Sequence, residues 1–407
     1  MHVGDFVVSL DIGTSTIKVI VGEIQNGALN IVGIGTAHSG GINKGAIVDI
    51  DLTAQSILEA LAEAERMVNF DIRDVFIGVS GNHINIQLSP GVVAVLSENK
   101  EITKNDVERA IEASKVIILP PNKEIIEVIP KEFIVDGLSG IKDPVGMIGG
   151  RLEVISTVIT GSITVMHNLF RTIEKTGLNV AGFVLLSLAA GEVALSKDEK
   201  NLGIAYIDIG KGTTDISIFQ GEELVDSIVL TIGGEYITND ISIGLKTPAD
   251  AAEHVKVRYG TASIETAFED IKFRVPRLGS NYDEEFTQVD LARIIEPRIR
   301  EIFSVVISEI NRLGYNTDFA GGIVLSGGVA ATNNILKIAE EMFGTSVRVA
   351  APTYIGAKDP SFTNGVGILV YTIKKILRKP TKGGTSKSKR SGGSVGGKIK
   401  GWFKDFV

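Results

Sequence analysis

A chain of 407 residues, 44% of them hydrophobic and 22% charged, is too long for one ordinary core and reads as a soluble, folded protein of two or more domains. It has no cysteine, which excludes disulfides, thiolate metal sites and a Cys nucleophile, and its five His (His2, His38, His83, His167, His254) include no close pair at metal-ligand spacing, which argues against a zinc enzyme. The formal net charge of −8 conceals eleven Lys/Arg against one acid from Thr372 to Val407, so an acidic body with a basic tail argues against nucleic acid as a partner and for a tail that seeks something anionic.

The chain enters a strand at about Phe6 with no basic segment leading into an apolar one, and no run of 18 apolar residues occurs. Neither a secretory signal nor a membrane-spanning helix is expected, and the reading is cytoplasmic. The stretch VVSLDIGTSTIKVIVGEIQNGALNIVGIG, from Val7 to Gly35, reads as apolar strand, Asp-Ile-Gly, polar turn, β-rich strand, a second turn with Gly and a third strand. Beyond Asn82 come short strands (HINIQLS, GVVAVLS, KEIIEVI), one helix near Thr103 to Val116 opened by a Thr103/Asp106 capping pattern, and a last strand through LEVISTVIT. That segment holds no Gly-rich loop and reads as an interaction surface. From Ile204 to Gly234, IAYIDIGKGTTDISIFQGEELVDSIVLTIGG repeats the first pattern, with Asp208 standing where Asp11 stood. Such a repeat predicts a duplicated α/β domain with two facing halves, and not a solenoid, whose period is far shorter. Farther on, GGIVLSGGVAATNNILKIAEEMFG predicts a buried strand (Ile323 to Leu325), a Ser-Gly-Gly turn and an amphipathic helix presenting its N-terminal N–H groups to a ligand.

Two matched turns of this kind suit a phosphate chain. Gly13, Gly210 and Gly212 free the backbone so that successive N–H groups can converge on one anion. Thr14, Ser15, Thr16, Thr213 and Thr214 add hydroxyls, and Lys18 and Lys211 add positive charge. Asp11 and Asp208, each ending a strand, are candidates to hold Mg2+ through water. Facing hairpins would clamp a di- or triphosphate from both sides, with Gly234 closing the second copy and Gly327 and Gly328 forming a third glycine site.

DIGTSTIK, DIGKGTTD and VLSGGVA resemble the two phosphate loops and the adenosine loop of the actin/Hsp70/sugar-kinase superfamily. The resemblance implies a duplicated actin-like (ribonuclease H-like) fold, with ATP and Mg2+ in a cleft between halves joined by hinge helices. PSFTNGVGILVY, Pro360 to Tyr371, resembles the second hinge segment, where Gly365 and Gly367 permit close helix packing. AAEHVKVRYG resembles the adenosine-side helix, which would put Glu253 and Lys256 near the ribose. Within the superfamily the chain is similar to the FtsA family of bacterial actin-like cell-division proteins, through GIGTAHSGGINKGAIVDID, FIGVSGNHI, NLGIAYIDIG and IEPRIREIF.

That similarity implies a domain plan: a first half in two parts (1–81 and 163–200), an FtsA-type inserted subdomain (82–162), and a second half (201–379) with a peptide-binding subdomain at about 233–305. A flexible basic linker (380–395) and a membrane-targeting helix (396–407) would follow. It also implies head-to-tail polymerisation, contacts with downstream division proteins, and tethering of FtsZ filaments to the cytoplasmic side of the membrane at the septum. The FtsZ C-terminal peptide would dock where Arg298 matches the family's arginine, with Arg293 and Arg300 nearby. Two departures matter. Lys211 stands where a Gly is more usual, so phosphate contact there would run through a side chain. In VLLSLAAGEVAL, Ser187 and Leu188 occupy the neighbourhood where active relatives place a Gln or Glu to orient the attacking water, with Glu192 about a turn on, so slow ATP hydrolysis at most is expected. The alternatives are an actin-like adaptor of type IV pilus assembly and a superfamily small-molecule kinase.

The end of the chain has its own pattern. KPTKGGTSKSKRSGGSVGG reads as linker, and in GGKIKGWFKDFV the residues Ile399, Trp402, Phe403, Phe406 and Val407 fall at i, i+3, i+4, i+7 and i+8 opposite Lys398, Lys400 and Lys404. An aromatic face opposite a lysine face suits a helix lying in an anionic membrane interface.

Overall fold

The computed structural model describes residues 5–25, 27–280 and 282–378. The linker and the apolar tail, with Ile399, Trp402, Phe403, Phe406 and Val407, lie outside the described residues.

The chain opens on an antiparallel meander, β1 (Asp5–Ile12), β2 (Thr16–Gln25) and β3 (Ala28–His38). Val7, Val8, Ser9, Leu10 and Asp11 are all buried, so β1 is covered on both faces, and its near-continuous apolar run replaces the alternation of a half-exposed strand. A two-rung hairpin, β4 (Ile42–Asn43) and β5 (Ala46–Ile47), precedes α1 (Ile50–Val68), which Asp49 caps by accepting from the N–H groups of Asp51 and Leu52. The helix buries Ile57, Ala60, Leu61 and Ala64, one face at helical spacing. β6 (Asp74–Val79) then pairs parallel with β1.

Asn82–Arg171 forms a compact unit of its own. β7 (Asn85–Ala94), α2 (Lys104–Ser114), β8 (Lys123–Val135), β9 (Leu138–Ile141) and β10 (Arg151–Ser162) follow one another, and the strands pair in the order β7-β10-β8-β9. Thr103 and Asp106 make the reciprocal cap that opens α2. The core holds Val95, Ile102, Ala110, Phe133, Leu152 and Val154. Two strands were expected at HINIQLS and GVVAVLS; the structure has one, because β7 lies at the sheet edge, where Pro90 with its missing N–H is tolerated.

After α3 (Ile163–Lys175), β11 (Asn179–Leu185) completes the first sheet in the order β11-β6-β1-β2-β3. α4 (Leu186–Ala194) and α5 (Lys197–Leu202) lead to the second copy. There β12 (Ile204–Ile209), β13 (Thr214–Gln220) and β14 (Glu223–Leu230) form the meander. α6 (Gly234–Leu245), α7 (Ala249–Tyr259), the hairpin β15 (Lys272–Pro276) and β16 (Asp283–Thr287), and α8 (Gln288–Arg312) build out from it. β17 (Ile323–Ser326), α9 (Ile335–Phe343) and β18 (Val347–Val349) return to the sheet, whose order β14-β13-β12-β17-β18 and strand directions repeat those of the first. Ala205, Ile207, Ile209, Ile216 and Ile218 point into one core with Leu291, Ile295 and Phe303 of α8. The chain then runs into α10 (Thr363–Arg378), which packs on α4 so closely that a Cβ on Gly367 would lie 2.4 Å from the Ala189 carbonyl oxygen. No described helix is long and apolar enough to cross a membrane.

Candidate functional site

The two copies of the meander place their first turns together. In each, the glycine after the strand donates its N–H to the carbonyl three residues on, Gly13 to Thr16 (3.2 Å) and Gly210 to Thr213 (2.9 Å). The turns meet: a Cβ on Gly212 would lie 2.8 Å from Cγ2 of Thr14 and 3.1 Å from Cα of Lys44, so a larger residue there would have to push the Thr14 side chain aside. The β4–β5 hairpin lies against both. Gly45 donates its N–H to Thr14 Oγ1 at 3.1 Å, and the Lys44 ammonium donates to the Tyr236 hydroxyl at 3.5 Å.

Beneath the loops lies a buried acidic floor. Asp11 faces Lys18 across β1–β2, 3.7 Å apart and both buried. At the matching rung of β12–β13, Asp208 faces Asp215, a carboxylate opposite a carboxylate. Burial first, then the charges of Asp215 and Asp11, push Asp208 up to about 7. Burial likewise pushes Asp215 up to about 6, held against by hydrogen bonds from Ser80 and Thr213. Asp11 is raised by burial, with Lys18 opposing. Asn364 of α10 donates to Asp208 at 2.8 Å. Fully ionised, three carboxylates against one ammonium would leave this floor doubly negative, the charge that one divalent cation balances. Among the described residues no three His, Cys, Asp or Glu side chains stand where they could grip a metal directly. The set therefore fits a hydrated Mg2+, which keeps its water and meets carboxylates through it.

On the far side of the floor Gly327 holds φ +85, and a Cβ there would lie 2.2 Å from an Asp208 carboxylate oxygen. The amphipathic helix expected directly after the Gly-Gly turn does not start there. A 3₁₀ turn, Gly328–Ala331, intervenes, and α9 begins only after Asn334, whose φ of +61 breaks the path. Glu253 and Lys256 are joined at 2.6 Å, and the Lys256 ammonium also donates to Thr238 Oγ1 (2.8 Å) and to the Gly234 carbonyl (3.2 Å), bringing α7 against the start of α6. Gly234 in turn donates its N–H to the Gly210 carbonyl at 2.9 Å, and Glu235 donates to the Lys211 carbonyl at 2.8 Å.

So Asp11, Gly13, Thr14, Lys18, Asp208, Gly210, Gly212 and Thr213 come together in one place, with Ser15, Thr16 and Lys211 on the same turns and Gly234, Glu253, Lys256, Gly327 and Gly328 ringing them. Thr214 is apart in role: fully buried, it donates its hydroxyl to the Ile232 carbonyl at 2.8 Å. Ser187 is paired with Ser227 at 2.8 Å, and Glu192 is held by Lys200 and Lys374. Both side chains already have partners of their own. The arginines of α8 do not converge. Arg298 grips Asp240 of α6 through two nitrogens (2.5 and 2.9 Å) and pairs with Glu301; Arg300 reaches Glu296 and Glu341; Arg293 pairs with Asp290 of its own helix. Asp215, Asn364, Ser80, Lys44 and Thr238 are the site residues sequence reasoning passed over. The signal for Asp215 was present: it occupies, in DIGKGTTD, the place of Lys18 in DIGTSTIK.

Two sheets of identical topology with facing Asp-Ile-Gly turns, and the packed pair α4 and α10, define an actin-like protein. The solved structures agree. The PilM–PilN type IV pilus biogenesis complex aligns over 90% of this chain and 98% of that one with a TM-score of 0.59 at 16% identity. MreB5 of Spiroplasma citri bound to ADP aligns over 92% and 99% with a TM-score of 0.55 at 15% identity. Sequence comparison narrows the class. The model of the cell division protein FtsA matches residues 205–367, and that of the SHS2 domain inserted in FtsA matches residues 81–160. FtsA of Bacillus subtilis is 50% identical over 92% of this chain and 85% of the relative, and FtsA of Escherichia coli K12 is 33% identical over 97% and 96%. The chain belongs to the FtsA family of cell division proteins.

Proposed function

We propose that this protein binds ATP with Mg2+ between its paired turns, polymerises on the cytoplasmic face of the membrane, and tethers FtsZ filaments there at the septum through its C-terminal amphipathic segment. The observation that carries the reading is the acidic floor under two facing turns. Its carboxylates repel one another, which a divalent cation would relieve, while the turns above present glycine backbone and hydroxyls suited to phosphate oxygens. Bound Mg2+ would neutralise phosphate charge; Asp11 and Asp208 would hold its waters, Asn364 would fix the Asp208 carboxylate, and Lys18 would keep Asp11 ionised. Glu253 and Lys256 would meet the ribose, and Gly328, whose Cβ position has no protein atom within 4 Å, would leave room for the adenosine. FtsZ's C-terminal peptide, rich in acid, would be met by Arg298, with Arg293 and Arg300 at the margin. The pilus-adaptor alternative and the kinase alternative lose ground to the family membership, and a kinase has no use for the tail.

The test is equilibrium binding of Mg-ATP. A ligand that binds only the folded chain raises its thermal midpoint in proportion to RT ln(1 + [L]/Kd). Lys256→Ala should weaken Mg-ATP binding about tenfold or more, and steady-state turnover should stay far below the ~10 s−1 common among enzymes. A thermal midpoint unmoved by millimolar Mg-ATP would overturn the nucleotide reading.

A further inference from the structure

Arg298 is already occupied by carboxylates of its own chain. Asp240 accepts from its Nε at 2.5 Å and from a terminal nitrogen at 2.9 Å, the two-point geometry with which a guanidinium takes a carboxylate, and Glu301 takes the other terminal nitrogen. Only 22% of the Arg298 side chain remains exposed. An acidic peptide docking on Arg298 must therefore displace an internal carboxylate that satisfies the same donors.

The element bearing that carboxylate matters as much. Asp240 stands one helical turn beyond Tyr236 on α6, and both face Arg298, whose guanidinium lies 5.7 Å from the centre of the Tyr236 ring. The same ring meets the Lys44 ammonium of the β4–β5 hairpin at 5.8 Å. At its N-terminus, α6 hangs from the second turn through the Gly234 and Glu235 N–H groups. One rigid helix thus joins the turn read as a phosphate loop to the arginine read as a peptide anchor. A helix of this kind supplies a physical link between two sites, and whether the link is used is a question of measured coupling.

We propose that Asp240 is an internal mimic of the partner peptide: it masks Arg298, and because it is mounted on α6 it makes peptide docking answer to the second turn. The proposal rests on the docking reading of Arg298 given above. It makes Asp240 a restraint on peptide binding and not a contributor to it. By linkage, a peptide that displaces Asp240 also alters nucleotide affinity by the factor with which nucleotide alters peptide affinity.

The experiment is fluorescence anisotropy of a labelled FtsZ C-terminal peptide against the full chain, wild type, Asp240→Asn and Arg298→Glu, with and without Mg-ATP. Asp240→Asn keeps the side-chain shape and removes the competing charge, so it should bind the peptide about two- to fivefold more tightly, the range expected for losing a partly exposed ion pair. The change that Mg-ATP makes in peptide affinity should shrink in the same variant. Glu301→Gln, which leaves α6 untouched, should tighten binding without altering the nucleotide effect, and it serves if Asp240→Asn fails to fold. Weaker binding by Asp240→Asn would mean that Asp240 aims Arg298 at the peptide, and unchanged binding would mean that it does not compete; either overturns the mask. If Arg298→Glu binds as the wild type does, the docking reading has failed and the mask falls with it.

Discussion

Asp208 and Asp215 face each other across a hairpin rung, where the first copy of the repeat has Asp11 facing Lys18. That one exchange turns a paired site into a repelling one. Because burial raises both, with the charges of Asp215 and Asp11 adding to the rise of Asp208 and that of Asp11 to the rise of Asp215, Asp208 stands at about 7 and Asp215 at about 6 against an ordinary 3.8, and the folded chain holds their protons more tightly than the unfolded chain does. The resulting stability is fully present below the ordinary value and lost as pH rises through 6 and 7. His83 runs the other way in this range, since burial and Lys123 lower it and its charging on acidification opposes folding. The difference between wild type and Asp208→Asn isolates the floor. Relative to the variant, the wild-type thermal midpoint should fall between about pH 5 and pH 8, and saturating Mg2+ with ATP should flatten the difference. A difference that stays constant across that range would deny the repulsion. The glycines, hydroxyls and strand-ending aspartates of the site were legible because they recur in two copies. For Asp215 the repeat offered only its place matching that of Lys18, and that it faces Asp208 arises from strand register; Asn364 was not legible, since 156 residues separate it from the carboxylate it holds.

At the scale of elements, the seat of α10 depends on how closely it approaches α4 and β2. A Cβ on Gly367 would meet the Ala189 backbone oxygen at 2.4 Å, whereas one on Gly365 would meet Cδ1 of Ile20 at 2.7 Å, the end of a flexible side chain. Backbone cannot yield as a methyl can, so Gly367→Ala should cost about 1–3 kcal/mol by overpacking and Gly365→Ala less. Urea unfolding of the two variants checks the order, and equal losses would mean that the helix pair shifts as a unit. The strands and this helix contact were readable, because apolar runs bounded by Gly and Asp have few other folds open to them. The Gly327–Gly328 turn was misread for a definite reason. GVAA has the composition of a helix start, and only the hydrogen-bond step, three residues instead of four, separates the 3₁₀ turn from it. The left-handed Asn334 then delays α9, a choice that asparagine permits but does not announce.

For the whole molecule, the proposed tethering raises the question of how an acidic body would stay at an acidic membrane. Outside Thr372–Val407 the chain has 30 Lys/Arg against 48 Asp/Glu, so the body itself is repelled by anionic lipid. The attraction has to come from the last segment. Burying Trp402 or Phe403 fully is worth ~1.5–3 kcal/mol each, and each lysine near an anionic surface adds about 1. Against this, fixing each backbone residue of a helix costs roughly 1–2 kcal/mol. On the proposed function one tail would therefore hold weakly and reversibly, much as a single lipid chain does, while many tails on one polymer would hold firmly because every attached copy raises the local concentration of the rest. Membrane binding should consequently be steep in protein concentration and dependent on whatever drives assembly. In co-sedimentation with anionic liposomes, the intact chain should pellet with Mg-ATP and largely stay in solution without it, and a chain ending at Ser391 should stay in solution under both conditions. Strong pelleting of the intact chain at concentrations too low for assembly would show that one tail suffices, and polymerisation would lose its role as the gatherer of anchors. An intact chain that never pellets would mean that Trp402 and its neighbours seek a protein groove instead of a lipid surface.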